Sequence, residues 1–334
     1  MANLVEFIFK CTNKTFKFIG PLFAIVIITF LIYTYLSILK NIFPFWYMNF
    51  YPYESNKVFY ILYKSILTIE LFLALLNNIL AIIIKPGSVN DIRNSKYYKT
   101  HSPYFSEKLL FPIFSNDNSR NNISITDIEK GVNETDTNKN KKIYWEKCNI
   151  CKEIKPLRTH HCTLCGSCVI KMDHHCPWIN NCIGQNNHRY FLLFLLHVFL
   201  YTILGAIISF PIFFIKNKTI VKIYEKVPNM KEIKYIAILG ISCIIIEIFF
   251  CGWNWYLALS GNTTLEFWSR RTGYQLFQGI DNYSFGTWEK NLFYIFGTKN
   301  LFKIVFIPSF KKLPFSGIEI SKFIDSDFCI EGIN

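Results

Sequence analysis

The chain has 334 residues and a formal charge of +13; 51% of its residues are hydrophobic and only 18% charged, against about 25% charged in soluble domains. That balance excludes a disordered chain or a nucleic-acid-binding tail and argues against an ordinary soluble enzyme. The apolar residues gather in four blocks instead of spreading evenly, the pattern of a membrane protein.

A lysine-bearing arm, residues 1–17, precedes an uncharged apolar block from Phe18 to Leu39. Gly20 and Pro21 fall where the first turn of a spanning helix is expected, a place that tolerates proline. A short loop with Lys40 and Lys57 leads to the second block, Val58 to Ile84, which contains Lys64 and Glu70. Spans one and two thus occupy residues 18–84. Residues 85–143 read as a linker whose stretch from Ser115 to Lys142, rich in Asn, Ser, Thr, Asp and Lys, has the composition of a disordered insert. A cysteine-rich segment fills 144–190. Spans three and four, Phe191 to Ile215 and Tyr235 to Leu259 with Glu247 inside, occupy 191–259, and a mixed tail runs over 260–334. The tail's aromatic run from Leu292 to Phe296 suits either a packed subdomain or an amphipathic piece on the membrane surface.

Each block is long enough to cross a hydrocarbon core, which takes roughly 20 apolar residues. Four spans put both termini on one side. The lysines after span three blur the charge bias between loops, so orientation rests on redox chemistry: paired thiols meant for metal must stay reduced, which the cytosol ensures. Both termini and the large loop are therefore expected in the cytosol. The sequon Asn217-Lys218-Thr219 falls in the opposite loop.

Seven of the eleven cysteines lie between Cys148 and Cys182. The run reads Cys148-x2-Cys151, then His160-His161-Cys162-x2-Cys165-x2-Cys168, then Asp173-His174-His175-Cys176-Pro177-Trp178, then Cys182. A CxxC turn lets two thiolates reach one tetrahedral zinc at about 2.3 Å. Seven Cys and four His supply enough ligands for two four-coordinate sites with three groups to spare. Neighbouring residues in an extended segment point opposite ways. One of His174 and His175 can face a metal and the other a reactive pocket, and the same holds for His160 and His161. Asp173, a histidine and Cys176 could then act as orienter, base and nucleophile. Spacing alone leaves that assignment open.

The Asp173-His174-His175-Cys176 run within this cysteine pattern resembles the signature of the DHHC protein S-acyltransferases. Thr263-Thr264-Leu265-Glu266 resembles the family's TTxE motif, and Asn291 with Phe296-Gly297 its C-terminal aromatic and asparagine motif. Lys85-Pro86-Gly87 departs from the usual Asp-Pro-Gly. The resemblance implies an all-α integral membrane fold of four helices, with a cytosolic double-zinc domain of short β-hairpins between spans two and three. It implies one Zn²⁺ on Cys148, Cys151, His161 and Cys168 and another on Cys162, Cys165, His175 and Cys182. It makes Cys176 the acylated nucleophile, His174 the base and Asp173 its partner, and leaves His160 without a role. Trp178, Phe191, Phe194 and Tyr201 would line the acyl-chain slot, with Tyr201 closing it. Thr263, Thr264, Glu266 and Asn291 would support the active site.

The activity implied is two-step transfer of a long-chain acyl group from acyl-CoA to protein cysteines. The partners would be palmitoyl-CoA, membrane-associated proteins with cytosolic cysteines, and the lipid bilayer. Golgi or endoplasmic reticulum is expected ahead of the plasma membrane. Lys155, Arg158 and Arg189 are candidates for the CoA phosphates. Two other classes compete. A catalytically silent zinc-bearing adaptor is disfavoured by the intact Asp173-to-Cys176 run. A nucleic-acid finger suits the charge but not the placement between spans, and no basic recognition helix follows it.

Overall fold

The computed structural model describes residues 2–44, 54–89, 123–124, 144–152, 154–155, 158–210, 230–272, 283–311 and 313. Apart from Ile123 and Ser124, the polar insert at 115–142 lies outside the described residues, as do the sequon at Asn217 and Cys329. Among the described residues, four helices are long and apolar enough to cross a membrane: Ile19–Ile42, Lys57–Ile83, His188–Ser209 and Lys234–Leu259. They belong to α1 (Ala2–Ser37, continued by a π-turn at Ile38–Ile42), α2 (Glu54–Ile83), α3 (His188–Ser209) and α4 (Met230–Leu259). Between α2 and α3 the described residues form seven short strands: β1 (Ile123–Ser124), β2 (Tyr144–Lys147), β3 (Ile154–Lys155), β4 (His160–Cys162), β5 (Ser167–Val169), β6 (His174–Cys176) and β7 (Asn181–Ile183). Three helices follow α4: α5 (Thr264–Thr272), α6 (Trp288–Phe296) and α7 (Leu301–Phe306).

Three expectations change in detail. Pro21 lies inside α1, because the helix already starts at Ala2 and the arm continues the span. Lys40 belongs to the π-turn that completes the first span and not to a loop. The third span starts three residues early, at His188, because Asn187 turns the chain into the helix.

Apolar burial drives no association between helices already in lipid, so close packing and hydrogen bonds must hold the bundle. Small residues allow that approach. Ala74 and Ala81 of α2 are fully enclosed, and a Cβ on Gly205 of α3 would sit 3.3 Å from Ile38. Some polar groups inside the spans find partners on neighbouring elements. Glu70 of α2 meets His197 Nδ1 of α3 at 2.8 Å. The other ring nitrogen of His197, Nε2, donates to the Val305 carbonyl of α7 at 3.0 Å. One contact chain thus joins two spans to the tail.

The tail divides. Leu292, Ile295 and Phe296 of α6 pack with Leu192, Leu193, Ala258 and Ile304. Leu301, Phe302 and Phe306 of α7 face outward. The aromatic run from Leu292 to Phe296 thus belongs to a packed helix.

The strand module sits directly on the end of α2. The last carbonyls of a helix lack partners within it. Here Asn181 Nδ2 reaches the carbonyls of Ala81, Ile82 and Ile84 at 3.0–3.2 Å, and Asn187 Nδ2 those of Ala81 and Ile84 at 3.3 Å. Just beyond, Pro86 O accepts from Asn186 N at 3.0 Å and Gly87 O from Ile170 N at 3.2 Å. Gly87 has φ +105°, and a Cβ there would press on Asn186, so glycine is required. The motif acts through its Pro and Gly carbonyls while the Lys85 side chain is exposed. That explains why Lys can stand where Asp is usual.

Candidate active site and metal centres

The module is a relay of hairpins. β4 and β5 pair antiparallel, with His161 opposite Cys168. β6 and β7 pair likewise, with His175 opposite Cys182. Each hairpin therefore presents one His and one Cys side by side. The other two ligands of each set come from the preceding CxxC turn, closed by Lys152 N to Cys148 O and by Gly166 N to Cys162 O, both at 2.8 Å. The residue after each turn must adopt left-handed backbone: Lys152 at φ 60° and Gly166 at φ 68°. Glycine does so freely, whereas lysine pays about 1–2 kcal/mol.

Cys148, Cys151, His161 and Cys168 bring one donor atom each within 4.8 Å of one another, and so do Cys162, Cys165, His175 and Cys182. In the first set Cys151 Sγ is 3.0 Å from His161 Nδ1 and 3.8 Å from Cys168 Sγ. In the second, His175 Nδ1 is 3.4–3.7 Å from the three sulfurs. A tetrahedron with bonds of about 2.3 Å has edges of about 3.8 Å, so both sets fit zinc. Three thiolates and one imidazole are also a donor set that suits it. None of the seven cysteines from Cys148 to Cys182 forms a disulfide.

Two histidines adjacent to ligands remain outside the sets, His160 and His174. In β6 the pleat turns His175 toward the second set and His174 the other way. His174 Nδ1 donates to Asp173 Oδ2 at 2.5 Å, which leaves Nε2 as the nitrogen that can accept from a thiol. Cys176, 2% exposed, lies two residues on, its thiol within the influence of His174. The ring of Phe191 covers the imidazole edge-on at 5.2 Å.

Asp173 is held from the far end of the chain. Its Oδ1 accepts Thr264 N at 2.7 Å and its Oδ2 the Thr264 hydroxyl at 3.0 Å. Thr264 opens α5, whose amino end is closed by a capping box. Glu266 N donates to Thr263 Oγ1 at 3.3 Å, and Thr263 N donates to Glu266 Oε2 at 2.8 Å. The helix thus presents its positive end to the carboxylate. Burial would raise the Asp173 carboxyl, but the bonds from His174 and Thr264 overcome it and push it well below the usual range. For His174 burial again opposes the charge, and Asp173 with Cys176 outweighs it, raising the imidazole to about 10.

Arg158 serves the fold. It is 1% exposed and grips Glu266 with Nε and Nη2 at 2.6 and 2.9 Å. Nη2 also reaches Gly261 O at 3.0 Å, and the guanidinium lies over the Tyr283 ring. Desolvation works against its charge, but Glu266 holds it more firmly protonated than usual. It is unavailable to a phosphate, contrary to expectation, and so is Arg189. That side chain is buried between the Tyr190 hydroxyl and the Lys311 carbonyl, at 2.8 and 2.7 Å. Lys155 stays partly exposed on β3. Asn291 is a buried staple. Its Nδ2 donates to Leu259 O at 2.7 Å and to Ser284 Oγ at 3.0 Å, and its Oδ1 accepts from Phe285 N at 2.8 Å. It fixes the end of α4, just before Thr263.

One apolar cluster runs from Cys176 past Phe191 and Phe194 to Tyr201 and Leu31. It opens into a cavity of about 250 Å³ between α1, α3 and α4. Phe194 and Tyr201 line that cavity. Phe191 stands at its approach, between His174 and Phe250, the latter ring 6.4 Å away. Trp178 is apart from it, exposed on the β6–β7 turn against Phe23 at 4.9 Å. Tyr201 Oη bonds Thr34 Oγ1 at 3.0 Å, bridging α3 to α1. Sequence reasoning passed over Thr34, Asn181, Asn187 and His197. For His197 the signal was present, an imidazole inside an apolar span with Glu70 in another.

Residues 141–271 match the family model described as DHHC palmitoyltransferase. The chain is 34% identical over 273 residues to the curated "Putative ZDHHC-type palmitoyltransferase 2" of Dictyostelium discoideum, an alignment covering 79% of this chain and 52% of that protein. The chain thus spans about half the length of the curated relative it matches.

Proposed function

We propose that this chain, whose residues 141–271 match the DHHC palmitoyltransferase model, belongs to that family and is a protein S-acyltransferase that moves a long-chain acyl group from acyl-CoA to cysteine thiols of membrane-associated proteins. The observation that carries this reading is Cys176. It is a buried thiol outside both metal-binding sets, beside an imidazole whose second nitrogen is held by a carboxylate. A free thiol is only slightly ionised at neutral pH and needs a base.

In the first step Cys176, its proton already held by His174 Nε2, attacks the acyl-CoA carbonyl as a thiolate. The bond from that carbonyl to the CoA sulfur breaks, and the leaving thiolate recovers the proton. In the second step a substrate thiol gives its proton to His174 and attacks the thioester on Cys176, which leaves as thiolate. One thioester replaces another in each step, so no other energy source is required. Asp173 keeps the imidazole oriented and stabilises it while it carries the proton. Zinc in the two Cys3His sets would be four-coordinate and structural, knitting the hairpins without an open position for substrate.

The acyl chain would run along Phe191 and Phe194 to Tyr201 while CoA stays on the cytosolic side. In this reading the arm, the hairpin module and the tail are cytosolic, and the protein resides in an internal membrane, Golgi or endoplasmic reticulum. The test is incubation of the purified full chain with labelled palmitoyl-CoA. Hydroxylamine-labile label on the wild type, absent from Cys176→Ser at unchanged zinc content, is expected. A wild type that holds two equivalents of zinc yet takes up no label overturns the proposal.

A further inference from the structure

Glu247 lies on α4 within the fourth membrane-crossing segment. A carboxyl at that depth is costly unless each of its oxygens finds a partner. Oε1 lies 3.2 Å from the Thr202 hydroxyl, but the single hydrogen of that hydroxyl is shared with Val198 O at 2.6 Å. Oε2 is buried and has no hydrogen-bond partner among the described residues. Glu247 and Thr202 both line the cavity that Phe194 and Tyr201 line. The other polar pair in that wall is satisfied internally, Thr34 against Tyr201. Among the described residues, Glu247 Oε2 is therefore an unpaired polar atom in a wall that is mostly apolar.

We propose that Glu247 sets the acyl-chain specificity of this slot, favouring a long chain with a hydroxyl in its distal half over the same chain without one. The inference rests on the acyltransferase reading above. A hydroxyl both donates and accepts, so it complements the carboxyl in either protonation state. A plain chain leaves Oε2 unpaired against methylenes, and a site built around a polar group rejects the analogue that cannot meet it. The position follows from the helix. Thr202 lies 11 residues beyond Phe191, which packs on His174, or about 16 Å along α3 at 1.5 Å per residue. The matching hydroxyl is therefore far from the thioester carbon.

The test measures thioester formation on Cys176 with hexadecanoyl-CoA and with its mid-chain and ω-hydroxy derivatives, in wild type, Glu247→Gln and Glu247→Leu. The rate ratio of the best hydroxylated chain to the plain one should fall about tenfold in Glu247→Leu. Glu247→Gln, which still donates and accepts, should retain most of the preference. Equal ratios in all three proteins overturn the inference and leave the transferase standing. Should Glu247→Leu fail to fold, equal rates for hydroxylated and plain chains on the wild type do the same. Absence of any Cys176 adduct with every donor overturns the transferase reading, and this inference with it.

Discussion

The carboxylate of Asp173 rests on the amino end of the helix that Thr264 begins, taking both the backbone N–H and the hydroxyl of that threonine. Two membrane spans separate the two residues in the chain. Thr264→Val keeps the N–H and removes the hydroxyl. Losing one hydrogen bond to a charged group costs about 1.5 kcal/mol, roughly tenfold in rate if it acts on the reacting imidazole. Cys176 acylation should slow by about that factor at unchanged zinc content and melting temperature. An unaltered rate would make the hydroxyl a bystander.

Arg158 and Glu266 form an enclosed ion pair whose members lie 108 residues apart. Removing one partner strands a buried charge, at about 3–5 kcal/mol, whereas replacing both with apolar residues of similar size is far milder. Arg158→Met and Glu266→Leu should each lower the melting temperature strongly in detergent. The double variant should be more stable than either single. Additive losses would mean that the pair is not coupled.

What could be read from the sequence follows the range of the interactions. The metal-binding groups are local: they lie within 35 residues, so spacing announces enough ligands for two sites, while the family resemblance divides them into two sets. The spans are local too, because a run of apolar residues reports its own surroundings. Arg158 was misread as a phosphate ligand because its partner, Glu266, lies beyond two more membrane crossings. The His197–Glu70 and Thr34–Tyr201 contacts were hidden for the same reason. Each joins helices whose mutual rotation no periodicity encodes. Pro21 was placed in a first turn because hydropathy marks where lipid begins and not where a helix does.

Gly20 lets span one approach the β6–β7 turn. A Cβ there would fall 2.7 Å from Asn180 Cγ. Asn180 already holds φ 51°, which limits its freedom to yield. Gly20→Ala should push α1 off the turn, weaken the Phe23–Trp178 contact and lower acylation, and Gly20→Val should do so more severely. Quenching of Trp178 fluorescence by lipid-borne quenchers should rise as the contact opens. No change in either readout would show that the asparagine side chain simply swings aside.

Tyr201 bridges α3 to Thr34 on α1 and lines the far part of the cavity. Tyr201→Ala removes the ring and the bridge together. Preference should move toward acyl-CoA chains longer than palmitoyl, read as relative rates of Cys176 labelling across a chain-length series. Tyr201→Phe, which keeps the ring, should leave the preference nearly as in wild type. A profile that does not move in the alanine variant removes Tyr201 as the end of the slot.

The bond from His197 to Val305 bears on biosynthesis. His197 is nine residues into its span, about 14 Å below the end of α3, and its ring reaches a carbonyl made more than a hundred residues later. Until α7 has been made, that imidazole N–H lacks the acceptor it has in the folded protein. A polar group left unpaired at that depth is costly. Docking of the tail therefore contributes to the stability of the span as well as to its own.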